Sequence, residues 1–147
     1  MDSIDWAILR ALKENGRATA SEISGKVCLS IPAVAERIRK LERAAVIERY
    51  TLKINREKTP FRLLAFVFVT LEDTRQIAAF REAIIRQACV LECHHIAGVY
   101  DYLLKVLVED AAALEYFLTE TLKSIPGVTK SNTFLSLSTL KEEINLL

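Results

Sequence analysis

Residues 19–43, TASEISGKVCLSIPAVAERIRKLER, carry the strongest signals of local structure in the N-terminal part of the chain. Thr19 and Glu22 have the spacing of a capping box, which satisfies backbone N–H groups at the start of a helix. Ser30 is suited to cap a second helix, whose first turn accepts Pro32 because no hydrogen bond is lost there. The stretch therefore predicts two short helices joined by a tight turn.

The second of these helices is expected to be amphipathic. Val34, Ile38 and Leu41 recur at i, i+4 and i+7 and predict one stripe that faces a core. The basic side chains project elsewhere: Arg37, Arg39, Lys40 and Arg43. A basic surface on the second helix of such a pair is typical of DNA binding. The alternative is an ordinary solvated face, on which Lys40 and Glu36 form a weak surface ion pair.

The flanking sequence extends this pattern into two domains. Upstream, Ile4, Ile8 and Leu12 mark a first amphipathic helix. Downstream, the β-favouring residues 49–54 predict a short wing and exit strand. From residue 62 onward, strands and helices follow the β-α-β-β-α-β order of the ferredoxin-like fold. We therefore predict an α+β protein with three parts: an N-terminal winged helix-turn-helix domain (residues 1–50), a strand and linker (51–61), and a C-terminal ferredoxin-like βαββαβ domain (62–147).

The predicted sheet has one open face. Both helices of a ferredoxin-like domain lie on the same side of the sheet, so the other side is bare in a single chain. Strands such as Leu63–Leu71 are too apolar to leave that side in water. We therefore expect a second copy to cover it, giving at least a dimer.

Composition and charge narrow the possible partners. The chain has 147 residues, 51% of them hydrophobic, and its longest apolar run, residues 63–71, is too short to span a bilayer. We expect a cytoplasmic protein with no membrane partner. Residues 1–60 hold 12 Lys/Arg and 8 Asp/Glu, whereas residues 61–147 hold 8 and 11. This asymmetry favours nucleic acid as a partner of the N-terminal domain.

The whole chain resembles the Lrp/AsnC family of bacterial and archaeal transcription regulators. Four stretches carry the resemblance: IDWAILRALKENGR (4–17), EISGKVCLSIPAVAERIRKLERAAVIERY (22–50), IAGVYDYLLKV (96–106) and IPGVTKSNT (125–133). It implies a C-terminal domain, called RAM, that dimerises through its sheet and commonly assembles further into tetramers or octamers. The chain departs from the family at Ala45 and Arg49, where Gly is frequent. We expect the helix end near Ala45 to be wound differently, since Ala tolerates the left-handed conformation less well than Gly.

The helix-turn-helix geometry supplies candidate DNA contacts. The N-terminal part of the second helix meets base edges, while its later residues and the preceding helix touch phosphates. The candidates for base contact are Ser30, Ile31, Pro32, Ala33 and Arg37, and those for phosphate contact are Ser21, Arg39 and Lys40. Only Arg37 is a strong base reader, because a bidentate Arg–guanine pair gives about 1–3 kcal/mol of discrimination. We therefore predict low intrinsic specificity for double-stranded DNA, partly offset when several domains of an oligomer bind together.

The resemblance also implies an effector site for an amino acid at an interface between subunits. In the family, this pocket is faced by a loop between two strands and by residues of the last strand. The corresponding residues here are Gly98, Val99, Tyr100, Asp101, Ser131 and Thr133. Asp101 is suited to accept a hydrogen bond from an ammonium group. The residues alone fit a plain turn as well, shaped by Gly98 and capped by Asp101.

Other kinds of site are not indicated. Cys89, Cys93, His94 and His95 lie close together, but neighbouring side chains on a strand face opposite sides, so we expect no metal there. We also expect free thiols and no cofactor. Two alternatives stay open: an architectural DNA-binding protein without an effector, and an enzyme resembling the sirohaem decarboxylases, which share the two-domain plan. Residues 62–67 lack the histidine of those enzymes, which disfavours the second alternative.

Overall fold

In the computed structural model, which describes residues 1–147, the chain divides into two units. The first comprises residues 1–53 together with 141–147, and the second comprises residues 54–140. Neither unit contains a helix whose length and apolar character would let it cross a membrane.

The first unit is built from three helices: α1 (Ser3–Glu14), α2 (Ala20–Val27) and α3 (Ile31–Arg43). Each helix begins at a side-chain cap. Asp2 and Asp5 form a reciprocal capping box at α1, and Thr19 and Glu22 form the predicted one at α2. The Ser30 hydroxyl caps α3. The predicted helix-turn-helix is therefore confirmed, with each helix start set by local hydrogen bonds.

One small apolar core holds these helices together. Its buried members come from all three helices: Ile8, Leu9, Ala11, Ile23, Val34 and Leu41. The predicted wing and exit strand is absent, since residues 49–54 form no strand. An extended segment needs a neighbouring strand to pair its backbone groups, and the first unit of this chain offers none. The chain continues through a short 3₁₀ turn at Arg56–Lys58.

Ala45 closes α3 in the left-handed conformation, with φ at 53°. Its N–H donates to the carbonyl of Glu42, and the N–H of Val46 donates to the carbonyl of Leu41, both at 2.9 Å. This is the Schellman pattern, in which Gly is the usual left-handed residue. The expectation that Ala would change the helix end is thus wrong. The chain keeps the glycine-type geometry and accepts the strain of a Cβ there.

The second unit has six main elements in the predicted order: β1 (Leu63–Leu71), α4 (Ile77–Ile85), β2 (Val90–His95), β3 (Tyr102–Val108), α5 (Ala111–Tyr116, continued by a π-helical turn at Phe117–Leu122) and β4 (Val128–Leu135). The strands form one sheet in the order β2-β3-β1-β4, and every neighbouring pair is antiparallel. The predicted ferredoxin-like fold is confirmed.

Strand alternation gives the sheet two different faces. Val67 and Val69 are fully buried in the core that α4 and α5 share with the sheet. Phe68 lies between them and points to the opposite, open face. Its ring contacts those of Tyr100 and Phe134, with centroids 5.1 and 5.7 Å away. An aromatic patch therefore lies on the face that no helix of this unit covers.

Candidate DNA-binding and effector sites

The solvent-facing side of α3 lies opposite its core stripe. Val34 and Leu41 are buried in the helical core. A row of residues at helical spacing occupies the other side of the helix: Pro32, Glu36, Arg39 and Arg43. We call this row the outer face of α3. It carries two arginines and one carboxylate, and the exposed Lys40 lies beside it.

Most predicted DNA contacts lie on or next to this outer face. Ser21, Ser30, Ile31, Pro32, Arg39 and Lys40 are exposed, and Ala33 is half-buried. Ser30 also has a structural task, because its hydroxyl accepts the Ala33 N–H at 3.4 Å as the cap of α3. All of these residues except Ser21, which is exposed on α2, therefore lie at the start or along the outside of α3.

Arg37 lies apart from that surface. Its Nη1 donates to Asp2 Oδ2 and to Asp5 Oδ1, each at 2.8 Å, and its side chain is 30% exposed. Asp2 and Asp5 each accept the other's backbone N–H, and this bond together with Arg37 holds the pKa of both carboxyls below the usual value. The guanidinium therefore joins α3 to the capping box of α1. Its use as a base reader stays a prediction.

Glu36 occupies the middle of the outer face and pairs with two arginines. Its Oε1 accepts from Arg43 Nη2 at 2.7 Å, and its Oε2 lies 3.2 Å from Arg39 Nε. The hydrogen bond from Arg43 is the main reason that the pKa of Glu36 lies below its usual value. The sequence pattern suggested Lys40 as the partner, and it missed the pairing with Arg43. The signal for that pairing was present, because residues seven apart lie two turns along the same helix face.

Asp101 fastens the loop between β2 and β3 to the end of β1. Its carboxylate accepts the Leu71 N–H at 2.8 Å, and its own N–H donates to the Val69 carbonyl at 2.9 Å. The Ile96 N–H donates to the Asp101 carbonyl, also at 2.9 Å. Gly98 has a φ of +153°, and Val99 is 89% exposed at the loop tip. These contacts match the turn-capping role that the residues alone also fitted.

The predicted effector residues divide between the two sheet faces. Tyr100 lies on the open face, where its hydroxyl accepts from Asn132 Nδ2 at 3.0 Å. Ser131 and Thr133 pair with Val69 and Val67, so their side chains lie on the helix-covered side. One chain therefore does not bring Tyr100, Ser131 and Thr133 to a single pocket.

A pocket of about 240 Å³ lies beside Asp101. Its lining residues come from the end of β1, the following turn, α4 and the loop before β3: Leu71, Glu72, Asp73, Thr74, Ile77, His95, Asp101 and Tyr102. The His95 ring stacks on Tyr102, with centroids 5.0 Å apart, and the Tyr102 hydroxyl accepts from Arg81 Nε at 2.8 Å. Of the three carboxylates around the pocket, Asp73 is paired with Arg75 at 2.6 Å and Asp101 accepts the Leu71 N–H, so Glu72 and the second oxygen of Asp101 are the groups that suit a ligand with an ammonium group. Asp101 alone among the predicted effector residues lines it.

The cysteines and histidines near β2 have separate environments. Cys89 and Cys93 pack against the sheet core, and burial raises the pKa of both thiols. His94 is instead exposed at the surface, where its Nε2 lies 3.1 Å from Oε2 of Glu92. Raised thiol pKa values reduce the thiolate fraction, which is the form that binds metals or reacts.

The comparisons with known proteins agree with this architecture. The AsnC-type helix-turn-helix domain model matches residues 1–42, and the Lrp/AsnC ligand binding domain model matches residues 64–146. The Bkd operon transcriptional regulator of Pseudomonas aeruginosa is 38% identical over 130 residues, covering 87% of this chain and 85% of that protein. The leucine-responsive regulatory protein of Escherichia coli is 36% identical over 149 aligned positions, covering 100% of this chain and 91% of that protein.

A solved structure of another transcriptional regulator has the same fold as this chain. The transcriptional regulator from Neisseria meningitidis in complex with L-Met superposes with a TM-score of 0.94 at 30% identity, covering 100% of this chain and 96% of the other. The two matched domain models and these relatives together define a DNA-binding transcription regulator. The chain belongs to the Lrp/AsnC family of such regulators, and it is not an enzyme.

Proposed function

We propose that the outer face of α3 is the surface through which this regulator contacts double-stranded DNA. The observation that carries the proposal is the exposure of Arg39, Lys40 and Arg43 on the side of α3 away from the helical core. The second helix of a helix-turn-helix enters the major groove with such a face. The contacts divide by position, with Ser30, Ile31, Pro32 and Ala33 near base edges and Ser21, Arg39 and Lys40 at phosphates. A protein acting on chromosomal DNA in this way works in the cytoplasm.

Arg37 is the proposed base contact that needs a rearrangement. To reach a guanine, its guanidinium has to leave two carboxylates that it holds at 2.8 Å. Ser30, Ile31, Pro32 and Ala33 offer only a hydroxyl and small apolar groups, which read bases weakly. The engaged Arg37 and the weak readers at the start of α3 together support low to moderate sequence specificity.

A salt series tests the DNA-binding surface. Binding of a fluorescein-labelled 40-bp random duplex is followed by anisotropy between 50 and 200 mM NaCl. The double variant Arg39→Ala/Lys40→Ala is expected to bind more weakly, with a salt slope flatter by about 0.9 for each lost phosphate contact. Arg86→Ala is the control, because it removes one exposed cation just after α4 in the sheet unit. Wild-type affinity and slope in the double variant would contradict the proposal.

We also propose that two copies cover the aromatic open face of the sheet. Phe134 lies on that face and is 54% exposed in the single chain. Burying an aromatic patch of this kind is a strong driving force for association. Larger assemblies, tetramers or octamers as in the family, would then place several helix-turn-helix domains on one DNA and raise its affinity by avidity.

An amino acid is the proposed effector. The Neisseria meningitidis relative was solved with L-Met, and the Escherichia coli relative is named for leucine. Asp101 and its pocket offer carboxylates for the ammonium group. Gly98, Val99 and Tyr100, at the exposed loop and open face, and Ser131 and Thr133, on the last strand, would complete the site only where subunits meet, because one chain keeps them apart.

Calorimetric titration of the assembled protein with L-Met and L-Leu tests this proposal, with D-Met as the control. Saturable heat with an L-amino acid, together with a change in oligomer mass by light scattering, is the expected result. Absence of both would favour an architectural DNA-binding protein without an effector.

A further inference from the structure

The outer face of α3 is basic at its edges but carries an acid at its centre. Glu36 uses both carboxylate oxygens, one for Arg43 at 2.7 Å and one for Arg39 at 3.2 Å. The other acid of α3, Glu42, accepts a hydrogen bond from the Tyr50 hydroxyl at 2.9 Å. Glu36 is therefore the group that balances the two arginines of the proposed DNA surface.

This arrangement opposes attraction to phosphates in two ways. The Glu36 carboxylate partly neutralises the charges of Arg39 and Arg43, so each arginine has to leave it before pairing fully with a phosphate. The carboxylate itself carries the same sign as the DNA backbone and is repelled by it. The side chains are 60%, 65% and 45% exposed for Arg39, Arg43 and Glu36. Exposed ion pairs are weak and exchange readily, so they reduce binding without preventing it.

We infer that Glu36 restrains the sequence-independent, phosphate-driven part of DNA binding by this regulator. The inference rests on the proposed function, since it needs the outer face of α3 to meet DNA. With Glu36 in place, the trio of charges presents a net single positive charge to the duplex. Removing the carboxylate would present two, which corresponds to about one more neutralised phosphate for each bound domain.

The substitution Glu36→Gln tests this directly, because Gln keeps the size and hydrogen-bonding capacity of the side chain and removes its charge. The probe is the 40-bp random duplex at 50, 100 and 200 mM NaCl. Glu14→Gln is the matched control, because it removes the same charge from the same helical unit. Glu14 lies on α1, and its Oε2 is 3.3 Å from Nζ of Lys26 on α2. Circular dichroism and the mass by light scattering check that both variants keep fold and assembly.

The expected result is about 3- to 10-fold tighter binding by Glu36→Gln at 50 mM NaCl. The salt slope should steepen by about 0.9 per bound domain, so the gain shrinks about threefold for each bound domain by 200 mM. Glu14→Gln should stay within twofold of wild type. A steeper slope is an electrostatic readout that a purely structural role of Glu36 would not produce.

The remaining outcomes overturn the inference and separate it from the proposed function. If Arg39→Ala/Lys40→Ala weakens binding while Glu36→Gln equals wild type or binds less tightly, the outer face meets DNA but Glu36 does not restrain it. If neither variant changes binding, α3 does not present this face to DNA and both proposals fail. An equal gain in Glu14→Gln would show that net charge alone, rather than the position of Glu36, sets the affinity.

Discussion

Replacing Ala45 by Gly should stabilise the helical unit. Ala45 holds a left-handed φ of 53° at the end of α3. A Cβ in that conformation costs about 1–2 kcal/mol. Gly removes this strain but loses about 0.5–1 kcal/mol more conformational entropy on folding. Taken at the midpoints of these two ranges, the balance predicts that Ala45→Gly raises the free energy of unfolding by about 0.75 kcal/mol, which is about 3–6 °C in Tm for a domain of this size.

The fluorescence of Trp6 reports the unfolding of the helical unit alone. This residue is the only tryptophan of the chain and lies on α1, so its fluorescence follows the helical unit during urea unfolding. Protein concentration is held constant because assembly also contributes to apparent stability. The neighbouring Ala44 is the control: its φ of −83° is ordinary, so Ala44→Gly brings only the entropy loss and should destabilise. If Ala45→Gly unfolds at or below the urea midpoint of wild type, the left-handed Cβ at Ala45 does not strain the helix end.

Three further predictions concern assembly, the loop of the sheet unit and acid stability. Phe134→Glu should shift the protein toward monomers in sedimentation experiments while keeping its circular dichroism spectrum, because a charge on the open face opposes pairing; unchanged mass would exclude that interface. Asp101→Ala should destabilise the sheet unit by about 1–3 kcal/mol in urea, since the Leu71 N–H loses its 2.8 Å acceptor; a loss below about 0.5 kcal/mol would show that this hydrogen bond does not stabilise the loop. The Asp5 pKa is lowered by folding, so its stabilisation is present above about pH 4 and is lost as the pH falls through the folded pKa. Arg37→Gln should make the fall in urea midpoint between pH 6 and pH 3 less steep, and an identical pH profile would show that the ion pair does not contribute.

Much of the fold could be predicted because its signals are local. The capping boxes join residues three apart, and the core stripe of α3 repeats within one helix, so neither depends on distant parts of the chain. The alternation of strands and helices after residue 62 likewise predicted the ferredoxin-like order. The candidate site was only partly predictable. Placing Ser30, Arg39 and Lys40 on one exposed surface needed only helical geometry, whereas the partners of Arg37, which lie on another helix, did not follow from it.

Apart from the absent strand at residues 49–54, the positions and order of the helices and strands follow from the sequence alone, since they depend on hydrogen bonds and periodicity over a few residues. Which groups meet across the chain depends on tertiary packing. Arg37 finds Asp2 and Asp5, 35 and 32 residues away, only because α1 and α3 pack on one core. The register of β4 on β1 decides that Ser131 and Tyr100 lie on different sides of the sheet. Packing and strand register are set by contacts distant in sequence, which no local pattern records.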